Sequence, residues 1–113
     1  YNAWGGKYPP WNLDNEFKKK FCQWIGVDNL LEPGMILEGG SIDVNGKGIV
    51  LTTESCLLNK NRNPRLERGE IEKRLRKFLG VEEILWIREG VAGDDTDGHI
   101  DDFMRFVDEK NIV

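Results

Sequence analysis

Asn45-Gly46 stands between two short apolar runs, Ser41-Ile42-Asp43-Val44 and Gly48-Ile49-Val50-Leu51-Thr52-Thr53, and nothing else in the 113 residues restricts the fold as tightly. Both central positions of a type I′ turn need positive φ, which Asn-Gly tolerates, so the dipeptide predicts a two-residue antiparallel hairpin. Ile42 and Val44 alternate with polar neighbours, as on a half-buried strand. The second run is continuously apolar, which predicts burial on both faces. Helical spacing follows: Ile71, Leu75, Phe78 and Leu79 share one face of Glu70–Leu79, and Gly80 ends it. Glu83-Ile84-Leu85-Trp86-Ile87 reads as a buried strand. Two strands, a helix and a strand thus form one unit over residues 35–87, in which Met35-Ile36-Leu37 leads to a strand end at Glu38.

The flanks repeat parts of this pattern. Tyr1–Trp11 is a loop rich in aromatics, Gly and Pro. Asn12 is placed to cap a helix, with Leu13, Phe17, Phe21, Trp24 and Ile25 on one face and Gly26 as the stop. Cys22 borders that stripe and reads as a buried structural thiol. Glu54–Glu67 reads as a polar loop, and Asp94–Gly98 as an acidic turn. Ile100–Val107 alternates loosely as a strand, and Ile112-Val113 opens another. The pattern is that of one and a half to two repeats of a longer array. Pairing of mixed or antiparallel strands makes the fold class α/β. Unpaired edges at both ends predict self-association, hence a homo-oligomer.

Composition limits the function classes. Sixteen Lys and Arg against twenty Asp and Glu give a net charge of −4, which argues against a nucleic-acid binder. The basic runs, Lys18–Lys20 and Arg74–Lys77, lie on helices whose other faces are apolar, and read as solvated surface. An acidic balance suits a small cationic ligand. No stretch approaches the ~20 apolar residues of a spanning helix, so no membrane partner is expected. Two cysteines without a CxxC pair, beside a single histidine, make a poor zinc set, and no metal is expected. Cysteine usage of this kind points to a reducing, cytoplasmic setting.

Two constellations bear chemistry. His99 lies in Asp94-Asp95-Thr96-Asp97-Gly98-His99-Ile100-Asp101-Asp102, where five carboxylates fall within nine positions. Such crowding is costly unless a cation sits among it. A solvated acidic loop is one reading. A calcium site is a second, although the spacing fails the EF-hand pattern. The third is a general acid–base histidine flanked by carboxylates that grip a cation; on a strand, His99 and Asp101 would project to one face. The other constellation is Glu38-Gly39-Gly40, either a plain turn or a carboxylate beside glycines that permit close approach. Cys56, after Thr52-Thr53-Glu54-Ser55, reads as a buried thiol.

In this order, Trp4-Gly5-Gly6-Lys7-Tyr8-Pro9-Pro10-Trp11, Leu37-Glu38-Gly39-Gly40-Ser41-Ile42, Leu51-Thr52-Thr53-Glu54-Ser55-Cys56-Leu57-Leu58-Asn59, Asn61-Arg62-Asn63-Pro64 and Asp94-Asp95-Thr96-Asp97-Gly98-His99-Ile100-Asp101 resemble the agmatine deiminase family, also grouped with bacterial-type peptidyl-arginine deiminases. The resemblance implies the pentein fold, a five-bladed β/α propeller of ββαβ units, of which residues 1–113 would be a partial domain of one and a half to two blades with no second domain. It implies hydrolysis of a guanidinium group, for agmatine giving N-carbamoylputrescine and ammonia, without metal or organic cofactor. Peptidyl-arginine is the alternative substrate, and a non-catalytic cation-binding fragment the alternative role. By the same resemblance His99 is the acid–base, Glu38 pairs with its imidazole, and Asp101 grips the guanidinium. Asp97 is counted with Asp101 as a substrate contact, and Trp11 as an aromatic wall for an aliphatic chain, or else core. The family's nucleophilic cysteine follows a Gly-Gly-Gly-Asn-Ile-His type run that this sequence lacks. Neither Cys22 nor Cys56 matches it, so the chain reads as a middle fragment, inactive alone.

Overall fold

The computed structural model describes residues 1–113. Its elements in chain order are α1 (Ala3–Gly6), α2 (Asn12–Trp24), a 3-10 turn at Gly39–Ser41, β1 (Ile42–Val44), β2 (Ile49–Thr53), α3 (Glu54–Leu57), α4 (Arg68–Leu79), β3 (Glu83–Ile87) and a second 3-10 turn at Ile100–Asp102. The three strands form one sheet in the order β1-β2-β3, the first pair antiparallel and the second parallel. A parallel pair needs a crossover, and α4 supplies it. The fold is therefore α/β with a small mixed sheet.

The core sits between the sheet and α4. Ile71 and Leu75 of α4 close on Val50, Cys56, Leu57 and Val81, with Ile42, Ile84 and Trp86 packed around them. Glu67 and Glu70 exchange side-chain hydrogen bonds with each other's backbone at the start of α4, and Gly80 ends it at φ 69°. The helix begins at Arg68, two residues before the apolar spacing predicts. As the central strand, β2 is buried from Val50 to Thr53, whereas β3 is an edge and only half-buried. Its Trp86 lies beneath the Arg68 guanidinium, 4.7 Å from the ring centroid, and donates to Glu72 Oε1 at 3.0 Å.

The hairpin differs from the expected two-residue turn. Val44 pairs with Val50, and a four-residue loop, Asn45–Gly48, joins β1 to β2. The Asn45 side chain accepts from the Lys47 and Ile49 N–H groups at 2.8 and 3.0 Å, and the positive φ values fall on Gly46 and Gly48. Asn45 thus serves through its amide rather than through its backbone.

Four further expectations change. Trp11, not Asn12, holds the N-cap position of α2, with no side-chain cap. The α2 stripe is exposed rather than internal: Phe17 is 64% and Trp24 82% accessible, with Phe17 stacked on Phe21 and Trp24 meeting Phe21 edge-on. Nothing in residues 1–113 covers that face, and Cys22 beside it is only half-buried. Met35–Leu37 is not a strand; the buried Asn63 side chain satisfies both the N–H and the C=O of Ile36. Ile100–Val107 is not a strand either. It opens as a 3-10 turn and ends in a tight antiparallel contact, Phe106 opposite Ile112. No helix is long and apolar enough to cross a membrane.

Candidate active site

Two 3-10 turns, Gly39–Ser41 and Ile100–Asp102, meet beside β1 and β2. Each is preceded by one chemically active side chain in extended backbone: Glu38 before the first and His99 before the second. Ser41 locks the first turn by donating to the Glu38 carbonyl at 2.6 Å. Asp94 winds the second: its carboxylate accepts from the backbone N–H groups of Thr96, Gly98 and His99. Burial pushes the Asp94 carboxyl up, but the Thr96 hydroxyl and those N–H groups outweigh it and hold the pKa at about 2. Thr53, at the end of β2, donates to the Gly98 carbonyl at 2.5 Å and ties this loop to the sheet.

The turns bring Glu38 Oε2 to 3.1 Å from His99 Nε2, with both residues 7% accessible. On the other side of the ring, His99 Nδ1 lies 3.9 Å from Asp101 Oδ1, and the Asp101 side chain is 37% open to solvent. The imidazole thus lies between an inner, buried carboxylate and an outer, accessible one. Gly40 makes this possible. A Cβ there would lie 2.4 Å from His99 Nδ1 and 2.9 Å from both Asp101 oxygens, closer than real atoms approach, whereas a Cβ on Gly39 would meet nothing.

Behind Glu38 stands Arg62. Its Nε donates to both Glu38 oxygens at 3.0 Å, one Nη to Asp97 Oδ2 and Asn61 Oδ1 at 2.8 Å each, and the other Nη to the Thr96 carbonyl at 2.8 Å. Burial pushes Glu38 up, but the bonds from His99 and Arg62 prevail and hold its carboxyl below the usual range. Burial alone would lower Arg62, yet its bonds to Asp97 and Glu38 raise it, so both groups are charged. Cys56 Sγ lies 3.7 Å from Glu38 Oε2. Burial, with Glu38 beside it, pushes that thiol up to about 12, so it is a protonated donor and no nucleophile. Glu38, Cys56 and His99 could by distance hold a metal, their donor atoms lying within 4.8 Å of one another. Arg62 already supplies Glu38 with a cation, and the thiol keeps its proton, so the cluster is balanced without an ion.

The family model for Porphyromonas-type peptidyl-arginine deiminase matches residues 1–113. The chain belongs to this deiminase family. Curated relatives include the agmatine deiminases of Stutzerimonas stutzeri and of Pseudomonas fluorescens, each 48% identical over all of this chain and 32% of its own length. Among solved structures, an agmatine deiminase of C. jejuni with substrate bound is 44% identical with a TM-score of 0.88, over 98% of this chain and 33% of that one. An Enterococcus faecalis agmatine deiminase is 42% identical with a TM-score of 0.90, over 98% of this chain and 32% of that one. The chain thus spans about a third of the length of the deiminases it matches.

Two further residues singled out from sequence, Asp97 and Trp11, have contacts of their own. Asp97 is engaged by three donors. Its Oδ1 takes Lys7 at 2.6 Å, and its Oδ2 takes Asn61 and Arg62 at 2.9 and 2.8 Å. Trp11 holds the N-cap position of α2, and its ring edge reaches Gly6, where a Cβ would lie 3.7 Å from it. Sequence reasoning passed over Arg62, placing it in a polar loop. That loop is instead folded, with α3, Arg62 and Asn63 buried. The available signal was compositional: one arginine set among Asn59, Asn61 and Asn63 promises more hydrogen bonds than a solvated loop needs.

Proposed function

We propose that the enzyme to which this chain contributes is an agmatine deiminase, hydrolysing the guanidinium of agmatine to N-carbamoylputrescine and ammonia. The observation that carries this is the convergence of buried Glu38, His99 and open Asp101 around Gly40, in a chain whose named relatives are agmatine deiminases. Charge and planarity select the substrate: a carboxylate with free oxygens prefers a planar cation that can donate two hydrogen bonds at once. Asp101 is that carboxylate, because Glu38 and Asp97 are already taken up by Arg62.

Glu38 accepts the Nε2 proton of His99 and fixes the ring, which leaves Nδ1 to exchange protons on the Asp101 side. A cysteine thiolate from outside residues 1–113 attacks the guanidinium carbon. His99 protonates the departing nitrogen, and ammonia leaves. His99 then takes a proton from water, which displaces the thiolate and yields the ureido product. The ββαβ unit formed by β1, β2, α4 and β3 would be one blade of a five-bladed propeller, with the flanking segments belonging to neighbouring blades.

A colorimetric assay for ureido product from agmatine, run on the full-length enzyme and on the 113-residue chain alone, tests this. Turnover is expected only in the former, and His99→Ala should abolish it without changing the melt. Full activity of His99→Ala would refute the assignment, and turnover of arginine peptides but not agmatine would move the substrate to peptidyl-arginine. Product formed by the isolated chain and lost in Cys22→Ser would mean that the nucleophile lies within it.

A further inference from the structure

Arg62 is the most fully coordinated charged group in the chain, with a side chain at 0% accessibility. It joins two segments distant in sequence to its own loop: the Glu38 carboxylate before the first 3-10 turn, the Thr96 carbonyl and Asp97 carboxylate in the loop that carries His99, and the neighbouring Asn61 side chain. A charged group this deep is costly unless every donor is matched, and here each nitrogen has a partner. The backing is rigid as well. A Cβ on Gly5 would lie 2.4 Å from Asn61 and 2.6 Å from the Arg62 guanidinium, so the α1 turn presses directly on this layer. Asn2 holds that turn by accepting from the Gly5 N–H and donating to the Asn61 carbonyl.

We propose that Arg62 is a positioning residue: through its bonds to Glu38, to the Thr96 carbonyl and to the Asp97 carboxylate, the protein's own guanidinium holds Glu38 in line with His99 and closes the inner carboxylates to a substrate guanidinium. This rests on the reading of His99 as the proton shuttle. Glu38 has three side-chain torsions, and besides the thiol of Cys56 and the Ser41 N–H of its capping box its contacts are His99 and Arg62. Without Arg62, no cation would stand behind it, and only the imidazole and that N–H would hold it. The planar fork also fixes direction, since Nε covers both oxygens from behind while Nη1 and Nη2 are anchored 94–98 side. Lysine would restore the charge but not the fork. Substrate then finds only Asp101 with open acceptors, which directs it to the Nδ1 side of the imidazole.

The test uses the full-length enzyme with Arg62→Gln, Arg62→Lys and Asp97→Asn, reading kcat and KM for agmatine across pH. Loss of Arg62 should lower kcat about 100-fold with KM changed less than about threefold, because the Asp101 carboxylate, which Arg62 does not contact, is untouched. The acid limb should move up by about one pH unit as Glu38 becomes easier to protonate, one unit matching the loss of one charge-assisted bond. Arg62→Lys should recover part of the limb shift but little of kcat. Asp97→Asn, which leaves the Arg62–Glu38 bonds in place and loosens the far anchor together with the Lys7 contact, should shift the limb the same way by less, and it decides the matter if Arg62→Gln does not fold. A limb that stays in place in every folded variant, or kcat and KM falling together, overturns the proposal. The titration of the Glu38 side-chain carboxyl, followed by carbon-13 NMR, separates this from the functional reading. If wild type turns over no guanidinium compound, the functional reading fails, yet an unmoved Glu38 titration in Asp97→Asn still refutes the brace.

Discussion

Gly40→Ala is the sharpest single perturbation of this site. Gly40 is not at positive φ, so alanine there carries no backbone penalty, and the effect comes from the methyl group alone. That methyl would lie 2.4 Å from His99 Nδ1, where ordinary contact begins at 3.4 Å, so the ring must retreat by about 1 Å. It cannot retreat freely, because Nε2 is 3.1 Å from Glu38, and Glu38 is held from behind by Arg62 at 3.0 Å. Asp101, at 2.9 Å from the new methyl, must swing as well. Overpacking of this kind costs about 1–3 kcal/mol in stability. A displacement of about 1 Å in a reacting group costs on the order of 100-fold in rate. Gly39→Ala is the matched control, since its Cβ meets nothing within 4 Å. Ureido-product kinetics and a thermal melt on both variants measure the two effects. Gly40→Ala within about threefold of wild type, or Gly39→Ala equally impaired, would refute the close-approach reasoning.

Further outcomes follow from the same structure. In the native chain, a thiol reagent at pH 8 should label Cys22 and spare Cys56, whose buried thiol titrates at about 12; denaturant should expose the second. Leu75→Ala, emptying a position 1% accessible beneath the sheet, should cost about 2–5 kcal/mol in a urea titration. Glu38, Asp94 and Asp97 all have folded pKa values below their ordinary ones, so each stabilises the fold above its ordinary value and loses that as pH falls through the folded value. The melting temperature should therefore hold near neutrality and fall from about pH 4.5 towards 2; a flat profile across that window would show that these carboxylates do not support the fold.

How far the sequence could be read depended on whether a residue's task was local. The period of Ile71, Leu75 and Phe78 and the stop at Gly80 concern one helix, and α4 formed within two residues of them. The hairpin was legible as a hairpin, but its loop length was not, because the amide of Asn45 replaced the turn geometry that Asn-Gly suggests. The α2 stripe was legible as a stripe, while its exposure depends on what packs against it, which no periodicity contains. Ile100–Val107 failed for a similar reason. Its alternation is real, but Asp94 captures the preceding N–H groups and turns the backbone away from a strand. Arg62 and Asp97 were least legible of all, since every partner but Asn61 beside Arg62 lies 24 to 90 residues away.

The same distinction separates the two carboxylates that face His99. Glu38 and Asp101 are alike in charge, and sequence spacing alone would rank Asp101 as the closer partner of the imidazole. Burial reverses this. Glu38 is dehydrated, and such a carboxylate stays ionised only where hydrogen bonds and an opposite charge compensate, which Arg62 and His99 do. Buried and engaged in this way, it is closed to a ligand. Asp101 is left to water, 3.9 Å from the ring, and so can exchange water for a ligand's donors at little cost. One carboxylate is thereby suited to hold the imidazole and the other to receive a cation. Exchanging their environments, not their charges, is what would destroy the site: Arg62→Gln should impair catalysis although no charged group that meets the substrate has been altered.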